Sequence, residues 1–280
     1  MSEAPQVKKT ISIVGCGWLG QPLGELLARE GHRVKGSTTD RGKMESLRES
    51  GIEPYYLVLD PEVRGENVRE LFDADVLILN IPPGRRRSNV EEFHPLQIKN
   101  LMEELEFSPV SLVLFISSTS VYAATGGEVT EANEETPEGA SGRALRKVEK
   151  MLRDCPRFDT TIVRFSGLVG GNRHPARFLA GKKEVANPKA PVNLIHREDC
   201  LEILRQLINR DVRGEVFNGA ADEHPLRQDY YTEQARLLGM EPPTFSPQDT
   251  GRHKIVSNTK IKLFLDYEFR YPDPNSMFIS

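Results

Sequence analysis

The chain has 280 residues, 38% of them hydrophobic and 28% charged, with a formal net charge of −4. That length suits one large domain, or a domain with an appendage. Acidic and basic residues are interleaved, which gives no electrostatic footprint for nucleic acid or an anionic membrane, and no apolar run approaches the roughly 20 residues of a membrane span. The opening MSEAPQVKKT carries no signal-peptide core. Cys16, Cys155 and Cys200 lie far apart in no metal-ligand spacing, so neither a disulfide framework nor a zinc site is expected. Each reads as a buried small hydrophobe in a reducing, cytoplasmic setting.

Short apolar runs alternate with amphipathic stretches through the first 170 residues. Residues 11–14 (ISIV) predict a strand and residues 19–30 a helix, with Leu23, Leu26 and Leu27 on one face and Gly31 at the left-handed stop. A second strand is expected over 32–37, a short helix near 43–49, and strands over 55–59 and 75–80, the last ended by Pro82-Pro83-Gly84. A helix follows over 93–105, with Leu96, Ile98, Leu101, Met102 and Leu105 as its apolar positions. SLVLFIS (111–117) is apolar almost throughout, as a strand covered on both faces reads. A helix over 142–153 and a strand over 160–165 complete the series. This alternation specifies a doubly wound, parallel-sheet Rossmann fold of the α/β class.

After Gly170 the sequence becomes loop-like and basic, then resumes as a helix (197–209), a short strand (215–218) and a helix (228–238) before a Pro-rich tail. The expected organisation is a dinucleotide-binding domain over 1–170 and a small C-terminal substrate or lid domain over 171–280. Helix 197–209 is expected to pack on the Rossmann sheet.

Directly after the first strand comes Gly15-Cys-Gly17-Trp-Leu-Gly20, opening a helix. The spacing alone is a weak signal; strand before, helix after and a second strand a dozen residues on make it specific. Gly15 permits the tight turn, Gly17 lets backbone approach a pyrophosphate, and Gly20 allows close helix–strand packing. The pyrophosphate then rests on the helix N-terminus, where N–H groups and the dipole favour an anion. An acidic residue at the end of the second strand selects NAD, and hydroxyl and Arg groups suit the phosphate of NADP. Here Thr38 stands at that position with Arg41 close by, so NADP is preferred over NAD; Asp40 swinging in would reverse this. The run Arg85-Arg86-Arg87 beyond the fourth strand reads as a solvated loop tip or a phosphate cover.

The glycine motif, Ser117-Ser118-Thr119-Ser120-Val121-Tyr122 and Arg164-Phe-Ser-Gly167-Leu-Val-Gly170 resemble the extended short-chain dehydrogenase/reductases, the NAD-dependent epimerase/dehydratase group. GWLG, SSTSVY, GLVGGNRHPARFLAGK, VNLIH and the YPDP tail resemble its atypical, YeeZ-like branch across nearly the whole chain. The resemblance implies a Rossmann fold with a small substrate domain. It also implies cofactor contacts from Gly15, Gly17, Trp18, Leu19, Gly20, Thr38, Thr39, Arg41, Asn80, Ile81, Pro82, Ser117, Phe165, Gly167 and Leu168. Members of the group often pair through helices beside the sheet, so a homodimer is an expectation.

In active members a Tyr-x-x-x-Lys pair on the helix after the fifth strand does the proton chemistry, and a Ser or Thr just past that strand holds the substrate oxygen. Ser118 matches the latter. Counting back from Glu149, Ser141 and Leu145 replace the Tyr and the Lys, and none of the seven tyrosines has Lys four residues later. A phenol needs a neighbouring cation to act as a base at neutral pH, so the usual machinery is missing. Tyr122, Arg143, Lys147, His174 and His196 are the available substitutes, with Tyr122 expected to pack and Lys147 to be a surface charge. Arg173, His174, Arg177, Lys182 and Lys183 cluster in the segment that would cap the nicotinamide end. They form either an anion site, with Arg177 and Phe178 as clamp and stack and Asn193 on the opposite wall, or a solvated loop. Two functions therefore stay open. One is an NAD(P)-dependent oxidoreductase or epimerase acting on a small polar or nucleotide-linked substrate with non-standard acid–base groups. The other is a non-catalytic NAD(P)-binding redox sensor or regulatory module.

Overall fold

A computed structural model of the chain describes residues 7–84 and 87–278. Residues 1–6 of the opening stretch, and Arg85 and Arg86 of the basic run, lie outside the described residues. In chain order the elements are β1 (Thr10–Val14), α1 (Gly20–Arg29), β2 (Arg33–Thr38), α2 (Met44–Glu49), β3 (Glu53–Leu59), β4 (Val63–Gly65), α3 (Val68–Phe72), β5 (Val76–Leu79) and α4 (Val90–Glu104). Then follow β6 (Leu112–Ser118), β7 (Glu128–Val129), α5 (Ala140–Arg153), β8 (Asp159–Phe165), β9 (Gly167–Val169), α6 (Ala176–Leu179), β10 (Leu194–His196), α7 (Arg197–Asn209), β11 (Val216–Gly219), α8 (Arg227–Leu237), β12 (Ile255–Val256) and α9 (Thr259–Leu265).

Eight strands form one sheet in the order β11-β8-β6-β5-β1-β2-β3-β4. β1 pairs in parallel with β2 on one side and β5 on the other, β2 with β3 and β5 with β6, while β4 returns antiparallel on β3. Every residue of β5, and all but the last of β6, is buried. Consecutive side chains point to opposite faces of a strand, so both faces of this sheet are covered. The fold is the expected Rossmann α/β class. Strand order reverses at β1, between β2 and β5, and the crevice beyond the carboxyl ends of such strands is where ligands bind.

Several elements depart from the expectations. β4 and α3 occupy residues 61–74, which show no clean periodicity, and β9 and β10 pair in a stretch read as loop. In α4 the buried face is Val90, His94, Gln97, Ile98 and Leu101, whereas Leu96 is exposed. Two polar residues enter this face because they satisfy each other. His94 Nδ1 lies 2.9 Å from Gln97 Oε1, and Gln97 Nε2 donates to the Leu59 carbonyl at 2.8 Å. Cys16 and Cys200 are buried as expected, but Cys155 is only half-buried, beyond the C-terminus of α5.

The chain divides into two compact units. The first comprises Met1–Val121, Gly139–Val163 and Ile203–Val216, and the second Tyr122–Glu138, Arg164–Glu202 and Phe217–Ser280. The second unit has its own core of Val169, Val192, Leu194, Ala221, Tyr230 and Met277. The buried Asp199 carboxylate pins the tail of that unit, accepting from the Tyr267 hydroxyl (2.6 Å) and the Arg270 (2.7 Å) and Tyr271 (3.2 Å) N–H groups. Among the described residues no helix is long and apolar enough to cross a membrane.

In the first unit Asp211 joins the ends of several elements. Its carboxylate accepts from Lys9 Nζ (2.5 Å) and Arg213 Nε (2.7 Å), and Arg213 also donates to the Ser111 carbonyl (3.0 Å) and Asp159 (3.1 Å). The Arg213 and Lys9 contacts hold the Asp211 carboxyl down at about 2. Its folded value is depressed, so its contribution is present above the ordinary carboxylate range and fades as pH falls toward 2. The side chain is 44% exposed, and screening limits the contribution to under about 1 kcal/mol. Asp211→Asn keeps a residue tolerant of the left-handed backbone here (φ 50). Urea denaturation of this variant is expected to show a small loss at pH 7 that narrows toward pH 3.

Candidate functional site

The turn after β1 is held from both neighbouring strands. From β2, the Ser37 hydroxyl accepts the Gly15 N–H (3.0 Å) and the Ser37 carbonyl accepts the Cys16 N–H (2.9 Å). From the end of β5, Asn80 Nδ2 donates to the Gly15 carbonyl (3.0 Å). Gly15 adopts φ +106, and a Cβ there would collide with the Asn80 carbonyl; one on Gly20 would collide with the Gly15 carbonyl. Both positions are glycine for reasons internal to the fold. Gly17 is not. It is exposed, has no positive φ, and apart from its chain neighbours nothing lies within 4 Å of where its Cβ would be.

Helix α1 then begins without a side-chain cap at Leu19 and without an acidic residue in its first turn. The Leu19 and Gly20 N–H groups have no acceptor among the described residues. A ten-residue helix with an open, uncapped N-terminus beside a bare backbone bend is built to receive an anion. Half-buried Trp18, Asn80 and Ile81 and exposed Pro82 stand around this turn and the end of β5.

The other predicted positions divide into those with open polar groups and those already engaged. Thr38 is buried, and its hydroxyl closes a local turn with the Asp40 N–H (3.1 Å) and carbonyl (3.3 Å). Asp40 itself caps the following turn by accepting the Gly42 N–H (2.9 Å), so it is held rather than free to swing. Thr39 is exposed. Arg41 lies over the Tyr56 ring, 4.1 Å from its centroid, and pairs with Glu66 at 2.6 Å. This exposed pair is worth little and is readily exchanged for a phosphate. Arg87 pairs with Asp60 (2.6 Å) and covers the Phe93 ring.

At the end of β6, buried Ser117 donates to the buried Glu149 carboxylate of α5 at 2.6 Å. Ser118 is half-buried, and its oxygen accepts the Ser120 N–H (3.2 Å). On α5, Ser141 is half-buried and Leu145 buried, so the helix presents no phenol and no amine at the two positions. Arg143 and Lys147 do not replace them, because both hold Glu91 of α4, at 2.9 and 3.4 Å. Lys147 also donates to the Glu91 carbonyl (3.4 Å), which Pro95, lacking an N–H, leaves without its helical partner.

In the second unit the Tyr122 hydroxyl donates to Asn218 Oδ1 (2.6 Å) and accepts from Arg164 (2.7 Å), and Asn218 N–H reaches Glu131 (2.7 Å). Burial pushes the phenol up, with Arg164 opposing. His174 Nδ1 accepts the Ala176 N–H (3.2 Å) and His196 Nδ1 the Glu198 N–H (3.3 Å). Accepting there requires the neutral ring, and burial lowers the pKa of both. Their rings lie against Phe278 and Tyr271. Phe165 is buried, Gly167 donates to the Asn193 carbonyl (3.1 Å), and Leu168 pairs with Ile195. Arg173 and Arg177 are exposed, as are Lys182 and Lys183, the last paired with Glu241. Asn193 commits its carboxamide to backbone, donating to the Lys254 carbonyl (2.9 Å) and accepting the Val256 N–H (2.8 Å). Among the described residues no group of His, Cys, Asp or Glu is placed to hold a metal.

A family model described as NAD(P)H-binding matches residues 15–210, beginning at the first glycine of the turn. The chain belongs to this NAD(P)H-binding family. It is 38% identical over 269 residues to Protein YeeZ of Escherichia coli, covering 95% of this chain and 97% of that protein. Among solved structures it resembles a functionally unknown conserved protein from Silicibacter pomeroyi (25% identity, TM-score 0.78, 96% of each chain). It also shares the fold of MoeE5 in complex with UDP-glucose and NAD (17% identity, TM-score 0.78, 96% of each chain). The UDP-glucuronic acid 4-epimerase of Bacillus cereus is similar in fold too (16% identity, TM-score 0.76, 96% of this chain and 96% of that one). The chain is thus YeeZ-like, with the epimerase/dehydratase type of fold.

Tyr122 joins two buried partners, so Tyr122→Phe removes a donor to Asn218 and an acceptor for Arg164. Chemical denaturation is expected to show a loss of about 1–3 kcal/mol, with NAD(P)H affinity unchanged.

Proposed function

We propose that the protein is a cytoplasmic NADP-preferring oxidoreductase or epimerase acting on a small polar or nucleotide-linked substrate. The observation that carries the reading is Gly17. The fold gives Gly15 and Gly20 their own reasons to be glycine, but a side chain at 17 would meet only open space in front of an uncapped helix N-terminus. A diphosphate pressed against that backbone supplies the missing reason. Arg41, freed from Glu66, pairs with the ribose phosphate of NADP, and Thr38 leaves no carboxylate to repel it. When bound, the nucleotide supplies the redox chemistry; the chain holds it at the bend and orients the substrate. MoeE5 is in complex with UDP-glucose and the 4-epimerase with UDP-glucuronic acid, which supports a nucleotide-linked substrate for a chain of the same fold. Arg173, His174 and Arg177 stand as its anion contacts.

The engagement of Tyr122, Arg143, Lys147, His174 and His196 favours the second reading, a binding module without turnover. Fluorescence titration with NADPH and NADH, followed by a turnover screen over sugar nucleotides, aldehydes and quinones, separates the two. Binding with no turnover supports the module, and failure to bind either nucleotide overturns both.

Gly17→Ala is expected to melt with the wild type while its Kd for NADPH rises at least about tenfold, a loss of about 1.4 kcal/mol. Gly15→Ala, strained at φ +106, is expected to lose stability as well. Arg41→Ala is expected to weaken NADPH by about tenfold, the worth of one charge-assisted hydrogen bond, and leave NADH unchanged. Equal loss for both nucleotides would remove the NADP preference.

A further inference from the structure

The Arg41–Glu66 pair is joined to the glycine turn by a short, fixed path. Ser37 holds the Gly15 and Cys16 N–H groups through its hydroxyl and carbonyl, and Thr38 follows it directly. The Thr38 hydroxyl and the Asp40 carboxylate close the bend that carries Arg41, the latter on the Gly42 N–H (2.9 Å). Thr38 lies opposite Tyr56 in the β2–β3 register, and the Arg41 guanidinium rests on the Tyr56 ring. Glu66 is placed from the other side. Its N–H donates to the Tyr56 carbonyl (3.3 Å), and Gly65 permits this approach, since a Cβ there would stand 2.5 Å from that oxygen. Asn67, left-handed at φ 52, then turns the chain into α3, which buries Leu71 and Phe72. All of these residues belong to the first compact unit.

The pair does little for the fold. β2 and β3 are already tied at their other end by Arg33, which grips Glu53 through Nε (2.8 Å) and Nη2 (3.0 Å). Arg41 gives Glu66 a single contact, from Nη2 at 2.6 Å, and the two side chains are 56% and 65% exposed. A guanidinium is a fork of several N–H donors, and Glu66 takes one. Tyr56 and Glu66 also line a cavity of about 200 Å³, which leaves open space beside the pair. An exposed ion pair with one contact is worth little to folding and is screened by salt. Its carboxylate is nevertheless a standing competitor for any anion that reaches Arg41.

We propose that Glu66 sets how strongly the protein distinguishes NADP from NAD, by occupying Arg41 until a ribose phosphate displaces it. This rests on the NADP reading of Arg41 above. A phosphate with roughly two negative charges outcompetes a carboxylate with a single one, and it can take parallel N–H groups of the guanidinium. The ribose hydroxyl of NAD brings no charge to the exchange, so the pair stays closed beside it. Only NADP has to open the pair, and Glu66 therefore narrows a preference that Arg41 creates. In this role Glu66 is a positioning residue: it acts through Arg41 and makes no contact with the nucleotide.

The test is fluorescence titration of the full-length protein with NADPH and NADH, run on the wild type, Glu66→Gln, Arg41→Ala and the double variant. Glu66→Gln keeps the shape of the side chain and removes its charge, and its thermal melting is expected to match the wild type. Its Kd for NADPH is expected to fall about three- to fivefold, with that for NADH unchanged. In the Arg41→Ala background the same substitution is expected to change neither. An unchanged or higher Kd for NADPH in Glu66→Gln overturns the proposal, and so does an equal gain for both nucleotides. A gain that persists without Arg41 overturns it too, because the carboxylate would then repel the phosphate directly. If Glu66→Gln has no effect while Arg41→Ala weakens NADPH alone, the proposal falls and the NADP reading stands. Equal loss of both nucleotides in Arg41→Ala, or a wild type that binds neither, removes that reading and the proposal with it.

Discussion

The structure depends on one close approach, that of the Gly15–Gly20 turn to the ends of its neighbouring strands. Ser37 holds the turn from β2 and Asn80 from β5. These are the strands flanking β1 where the order of the sheet reverses. Side chains are excluded at Gly15 and Gly20 because carbonyl groups already stand where a Cβ would be. The consequence is electrostatic: peptide N–H groups, not side chains, form the surface at the head of α1, and they attract anions without regard to pH. The turn provides a receptor for phosphate, and its geometry is set by the strands on either side of β1.

Much of the cofactor turn was legible because glycine spacing between a strand and a helix leaves few physical alternatives. The strands covered on both faces were legible for the same kind of reason: an uninterrupted apolar run such as that of β6 has nowhere to lie but inside a sheet. Legibility failed where polar residues satisfy one another. His94 and Gln97 took core positions that periodicity assigned to Leu96 and Met102, because a hydrogen bond between them removes most of the cost of burial. It failed again at β4, β9 and β10, each three residues long, since so short a strand carries too few alternations to be distinguished from loop. Asn193 illustrates a third limit. A polar residue in a cleft-like segment reads as a ligand contact, yet both ends of its amide bind the backbone on either side of Ile255. No sequence signal distinguishes a carboxamide that greets a ligand from one that fixes a strand.

Helix α5 shows why the missing catalytic pair is not restored nearby. Its positive residues face α4 as well as solvent, and Glu91 there collects both Arg143 and Lys147. The attraction is reinforced by Pro95, whose absent N–H exposes the Glu91 carbonyl to the Lys147 ammonium. On the inner face, Glu149 binds Ser117, and Leu145 is sealed in the core. Arg143, Lys147 and Glu149 thus hold α5 to its neighbours, and a phenol at 141 with an amine at 145 would have to displace packing already in place. Once a buried leucine occupies the lysine position, regaining a charge there costs several kcal/mol of desolvation.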